Sequence, residues 1–151
     1  MSLDPSDIAS VHRGAEKHEH VLDFIFRCPH PAAMSWRVQI AEEFEPEFFA
    51  LQSEVQDAIL TMTRLLRQFG PQLGRPQVDT LNGSRHANMK ELRLSAAGGE
   101  WRIAFAFDPV RRAMLLVAGD KSGGSGRRFY RELIRKADER FDRHLARLAE
   151  G

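Results

Sequence analysis

Three short strand-like stretches, set end to end with tight turns between them, limit this chain to very few folds. In the middle one, Trp101, Ile103, Phe105 and Phe107 recur at every second position. Only a strand puts such residues on one face. Ala96-Ala97-Gly98-Gly99 precedes it and Asp108-Pro109 follows it, both turn sequences too short for a crossover. The pattern predicts strands at Met89–Ser95, Glu100–Phe107 and Ala113–Gly119, joined as an antiparallel meander. Trp36–Ile40 alternates in the same way and predicts one more strand.

Two helical patterns flank the meander. Phe48, Leu51, Val55, Ile59, Met62, Leu66 and Phe69 recur in steps of three and four, which predicts one continuous helix. It opens at Glu45-Pro46, where proline and acids suit a first turn, and stops at Gly70-Pro71. Residues 71–89 read as loop. A glycine-rich link, Gly119–Gly126, leads to a last helix from about Arg127 to Ala149, with Tyr130, Ile134, Ala137, Phe141, Leu145 and Leu148 as its stripe. The order β-α-β-β-β-α predicts an α+β fold: an antiparallel-dominated sheet with helices packed on one face and the other face open.

A chain of 151 residues can hold one such domain without disulfides or metal. Its single cysteine, Cys28, requires no oxidising compartment, and no apolar run approaches the ~18 residues of a membrane span. The expectation is a cytoplasmic protein without cofactor. Residues 1–33 differ from the rest: they are acidic, hold His12, His18, His20 and His30, and close on Cys28-Pro29-His30-Pro31. That spacing matches no zinc site. They read as an N-terminal extension outside the core fold, with the domain running from 34 to 151. The net charge of +1 conceals an asymmetry, because residues 71–151 carry sixteen Lys and Arg against ten Asp and Glu. A basic C-terminal half is a footprint for a polyanion, or simply a solvated basic helix.

Parity assigns the strand faces. Leu92 and Leu94 point one way, Glu91 and Arg93 the other; Arg102, Ala104 and Ala106 oppose the apolar face of their strand. Arg93 and Arg102 therefore share a face, beside a groove floored by alanines, and Lys121 lies just past the end of the next strand. Converging cations of this kind suit phosphate. They would stabilise the phosphorane formed when RNA is cleaved by its own 2′-hydroxyl, a reaction that also needs a base and an acid. The plainer reading is cross-strand pairing, with Glu91 neutralising Arg93 or Arg102. His86 is either a general base or a solvated loop histidine. Lys90 falls on the wrong parity for the groove. Tyr130 sits in the helical stripe, where packing accounts for it.

The stretch GRPQVDTLNGSRHANMKELRL, then WRIAFAFDPVRRAMLLVAGDKSG, then RFYRELIRKADERFDRHL resembles toxins of the RelE/ParE superfamily from bacterial type II toxin–antitoxin modules, in the HigB-like branch related to phage Gp49. The resemblance covers Met34 to the end. It implies a RelE-like fold, ribosome-dependent cleavage of mRNA without metal, and a cognate antitoxin, commonly a helix-turn-helix protein. It also implies catalytic cations on the concave sheet face, which here fall on Arg93, Arg102 and Lys121. Arg85, His86, Lys90 and Glu91 complete the candidate RNA contacts. Several relatives use a C-terminal Tyr or His near the scissile phosphate; neither Tyr130 nor His144 stands at an evident equivalent, which leaves the base and acid unassigned. Other members of the superfamily poison DNA gyrase, and a toxin-derived binding domain without catalysis is a third reading.

Overall fold

Every alternating stretch becomes a strand in the computed structural model, which describes residues 36–151; the extension at 1–33 lies outside the described residues. The elements are β1 (Arg37–Ile40), α1 (Glu45–Ala50), α2 (Ser53–Phe69), β2 (Val78–Thr80), β3 (Lys90–Ala96), β4 (Gly99–Phe107), β5 (Arg112–Asp120) and α3 (Gly126–Glu150). The strands form one sheet in the order β1-β5-β4-β3-β2. β1 runs parallel to β5 and all other pairs are antiparallel. The antiparallel-dominated α+β sheet expected from the sequence is therefore present. β2, inside the stretch read as loop, adds a three-residue edge strand, Val78 opposite Leu92.

The β3–β4 turn carries Ala97 at φ +50° and Gly98 at φ +76°, the pair of left-handed residues that a two-residue hairpin of matching twist requires. A bulge at Ala104/Phe105 leaves Leu116 of β5 unpaired with β4, and its carbonyl accepts a 2.8 Å hydrogen bond from Arg140 Nη1 of α3 instead.

Two details differ from the sequence reading. The first long helix is interrupted: Leu51 and Gln52 are extended, with ψ of 156° and 145°. The buried Gln56 side chain donates to the carbonyls of Leu51 (2.8 Å) and Phe49 (3.3 Å). It thereby satisfies acceptors that the break would orphan, while Phe48 and Val55 both stay in the core. Amphipathic spacing survives such a kink, so the stripe alone does not reveal it.

The second difference is the placement of the helices, which cover both faces rather than one. β4 is buried at every residue from Arg102 to Ala106, the mark of a strand covered on both sides. α2 lies over the face of Val38, Ile40, Leu92, Ile103, Phe105 and Leu115. Trp36 closes that layer, bonded to the carbonyl of Arg67 (2.8 Å) and edge-on to Phe107; a side chain at Gly70 (φ +56°) would collide with its indole. α3 lies on the opposite face, where a Cβ on Gly119 would stand 2.8 Å from Phe129. Ala104 and Ala106, read as the floor of an open groove, together with Gly119 are what lets α3 come this close. Each large side chain sealed in these layers contributes about 1.5–3 kcal/mol.

The second half of α3 is held by polar contacts. Arg140 forms a forked pair with Glu47 (2.7 and 2.8 Å), and His144 Nε2 lies 2.8 Å from Asp108 Oδ2. Arg143 and Arg147 reach Glu43 and Glu42, each at 3.5 Å. Asp108 also accepts from Arg112 Nε at 2.9 Å. Burial pushes its carboxyl up, but His144, together with the Arg112 amide and guanidinium, outweighs burial and holds it below the usual carboxylate range.

Candidate functional site

Arg93 and Arg102 are direct cross-strand partners, and Glu91 stands opposite Ala104 on the same face. The register thus brings two guanidinium groups and a carboxylate together beneath α3. Glu91 Oε2 lies 3.9 Å from Arg93 Nε, and Glu91 Oε1 lies 4.0 Å from Arg102 Nε. Glu91 and Arg102 are only 5% and 6% exposed, whereas the Arg93 side chain is about a third exposed. Arg102 Nη1 donates to the carbonyl of Trp101 at 2.9 Å. Arg102 Nε and Glu91 Oε1 are buried without a hydrogen-bond partner, an arrangement that costs roughly 1–3 kcal/mol per group.

Tyr130 completes the cluster from the first turns of α3. Burial pushes its phenol above the ordinary value; a hydrogen bond with Arg102 opposes that rise and one with Glu91 reinforces it. The phenol therefore stays protonated at neutral pH and is able to donate a hydrogen bond. Lys121 Nζ lies 5.4 Å from the centre of the same ring, within range of a cation–π contact. Tyr130 is the residue that sequence reasoning passed over: a helical stripe marks what faces the sheet but not which sheet residues it meets. The structure gathers Arg93, Arg102, Lys121 and Glu91, all singled out from the sequence, around a tyrosine assigned to packing.

The other candidates stand elsewhere. Lys90 pairs with Phe105, one residue out of phase with Glu91 and hence on the other face. Arg85 and His86 belong to a separate clasp that fastens the loop before β3 to the middle of α3. Ser84 Oγ donates to Asp138 at 2.5 Å, Arg85 forms an ion pair with Asp142, and His86 Nε2 lies 2.7 Å from Asp142 while its ring meets Phe141 edge-on. The Arg85 guanidinium is the main cause holding the Asp142 carboxyl low; burial opposes it and His86 assists it. Phe141 follows Tyr130 by roughly 16 Å of helix, so His86 does not share the arginine cluster. Among the described residues no group of three or more His, Cys, Asp or Glu could hold a metal ion, and no helix is long and apolar enough to cross a membrane.

Comparison with known proteins places this geometry in a family. Residues 46–142 match the family described as phage derived protein Gp49-like (DUF891). The chain is 40% identical over 146 residues to a protein named putative toxin HigB2 of Mycobacterium tuberculosis, covering 95% of this chain and 70% of that one. It is 45% identical over 109 residues to putative toxin HigB3 of the same organism, covering 72% of this chain and 93% of the relative. In three dimensions it resembles the free state of a doubly substituted E. coli toxin RelE, with a TM-score of 0.52 at 14% identity, over 71% of this chain and 98% of the other; that likeness speaks for the fold. With well over half of the chain inside the family match and two relatives at this level of identity, the protein belongs to the phage-derived Gp49-like family, alongside proteins named as HigB toxins.

Proposed function

We propose that this protein is the toxin of a toxin–antitoxin pair and that it acts as an endoribonuclease on mRNA being translated, restrained by a cognate antitoxin, of helix-turn-helix type in this reading. The names of its relatives support the toxin role. The observation that carries the chemistry is the direct pairing of Arg93 with Arg102 beside Glu91 and Tyr130. Two like charges in register on a sheet are unfavourable for stability alone, and the arrangement suits a phosphate.

In this reading Arg93 and Arg102 contact the scissile phosphate and stabilise the phosphorane, with Lys121 as a third cation. The nucleophile is the 2′-hydroxyl of the RNA. Glu91, within 4.0 Å of both guanidinium groups, is the carboxylate placed to accept its proton, and the protonated Tyr130 is the donor placed to hydrogen-bond the phosphate or the departing 5′ oxygen. Because Arg102 and Glu91 are buried under α3, RNA reaches them only when the turns around Tyr130 shift. The glycine-rich link before α3, with Gly123 and Gly124 both at φ +78°, supplies the freedom. His86 and Lys90 take no part in proton transfer here.

Induced expression followed by mapping of transcript 5′ ends tests the reading. New 5′ ends inside translated frames that vanish when translation is blocked, and that are absent with Arg102→Ala, are the expected result. DNA breaks and an SOS response without new RNA ends would overturn it in favour of gyrase poisoning; neither effect would leave a binding domain.

A further inference from the structure

The seven arginines of α3 divide sharply along the helix. Arg135 pairs with Glu132 and Glu139, Arg140 with Glu47, Arg143 with Glu43, and Arg147 with Glu42 and Glu43. Arg127, Arg128 and Arg131 are exposed, and among the described residues no carboxylate pairs with them. They stand four and three residues apart, on one side of the first two turns. That is the positive end of the helix dipole, where the first turn contains no acid and where cations are unfavourable. Stability therefore does not explain them.

Their position relative to the arginine cluster supplies a reason. The same two turns carry Phe129 against Gly119, and Tyr130 against Glu91 and Arg102. Lys121 sits over the Tyr130 ring. Beneath it lies Arg102, 6% exposed, with its Nε unpartnered. A band of positive charge thus runs from the unpaired arginines on the solvent-facing side of α3 to the buried Arg102 guanidinium, which shares Glu91 with Arg93 and is short of one hydrogen-bond acceptor. We propose that Arg127, Arg128 and Arg131 form a second binding surface, for the phosphodiester backbone of single-stranded RNA flanking the phosphate that Arg93 and Arg102 hold. It rests on the nuclease reading for the identity of the anion. A phosphate chain lying across both surfaces also gains by drawing the first turns of α3 off the cluster, because those arginines lose no partner when the turns move.

The test is equilibrium binding of a fluorescein-labelled 20-nucleotide oligouridylate to the full chain over a salt series. It compares wild type, Arg127→Ala/Arg128→Ala/Arg131→Ala, Arg102→Ala, and Arg135→Ala as a control whose charge is already neutralised. Three lost phosphate contacts should make the slope of log K against log salt shallower by about 2 and weaken binding about tenfold or more near 0.1 M salt. Arg135→Ala should change little. The melting temperature of the triple variant should hold or rise, since unfavourable dipole contacts are removed; a fall would indicate a structural role. Unchanged affinity and slope in the triple variant overturn the proposal; if Arg102→Ala alone weakens binding, the cluster stands without the patch. Absence of any salt-dependent binding by wild type also overturns it, while the mapping of RNA ends still judges the nuclease reading separately. Unchanged RNA affinity combined with lost neutralisation by an acidic protein partner would assign the patch to that partner instead.

Discussion

Arg102 is the residue at which stability and chemistry can be separated by experiment. Its guanidinium lies 4.0 Å from a carboxylate that is 5% exposed, so Arg102→Ala strands part of a buried negative charge. Breaking a fully buried pair from one side costs about 3–5 kcal/mol. Here Arg93 remains 3.9 Å from the same carboxylate, but its side chain is a third exposed and screened by solvent. The net expectation is about 2 kcal/mol, or about 8 °C in melting temperature for a domain of this size. Adding Glu91→Gln removes the stranded charge and should restore at least half of that loss. Activity should follow a different rule. Cleavage of ribosome-bound mRNA in single turnover, normalised to folded protein, should fall about a hundredfold, the scale for one preorganised charge-stabilising donor. Arg102→Lys should recover only part, because a point charge cannot reproduce the fork. Melting within 2 °C of wild type (about 0.5 kcal/mol by the same conversion) would refute the buried coupling. An unchanged rate per folded molecule would remove the arginine cluster from the reaction.

Three further perturbations probe the scaffold. Asp108 has a native pKa below its unfolded value, so its contribution is present above the unfolded pKa of about 3.9 and is lost as pH falls through the native one; Asp108→Asn should lower the urea midpoint at neutral pH and flatten its decline below about pH 4. Gly119→Ala places a Cβ 2.8 Å from Phe129, which should cost about 1–3 kcal/mol and speed amide exchange at residues 127–133 more than at 138–147; uniform exchange would show that α3 moves as one body. A chain starting at Met34 should keep the wild-type melting temperature within about 3 °C; a larger drop would show that Val21–Phe26 packs on the domain.

Strand alternation made the meander legible because one face of each strand is strongly apolar. The same parity set Glu91, Arg93 and Arg102 on one shared face. It could not say what lies above them. Polar and small residues at 91, 93, 102, 104 and 106 look like a solvated surface when alternation is the only guide, yet Ala104 and Ala106 are fully buried and Arg102 nearly so. The missing information was long-range: α3 returns over that face because Gly119 admits Phe129 and because Arg140, His144 and the Ser84–His86 loop hold its second half. No local period encodes those contacts. His86 was misleading for a related reason, since a loop histidine is free to be a base until an aspartate across the fold, here Asp142, claims it.

The consequence is functional. If Arg102 holds the scissile phosphate as proposed, its burial under α3 sets an energetic threshold before phosphate can enter, which a permanently open cation cluster would lack. That threshold falls in the first two turns of α3, because the later turns carry three arginines paired with Glu47, Glu43 and Glu42 and a buried His–Asp contact, while among the described residues the first two turns carry no ion pair to another element. Opening there exposes Phe129, Tyr130 and Leu133, and burying a large apolar side chain contributes about 1.5–3 kcal/mol. Partial exposure of these three therefore sets an opening cost of a few kcal/mol, small enough for several phosphate contacts to offset and large enough to keep Arg102 covered in the free protein. An amide-exchange profile in which 127–133 opens no faster than the β4 core would contradict this division of the helix.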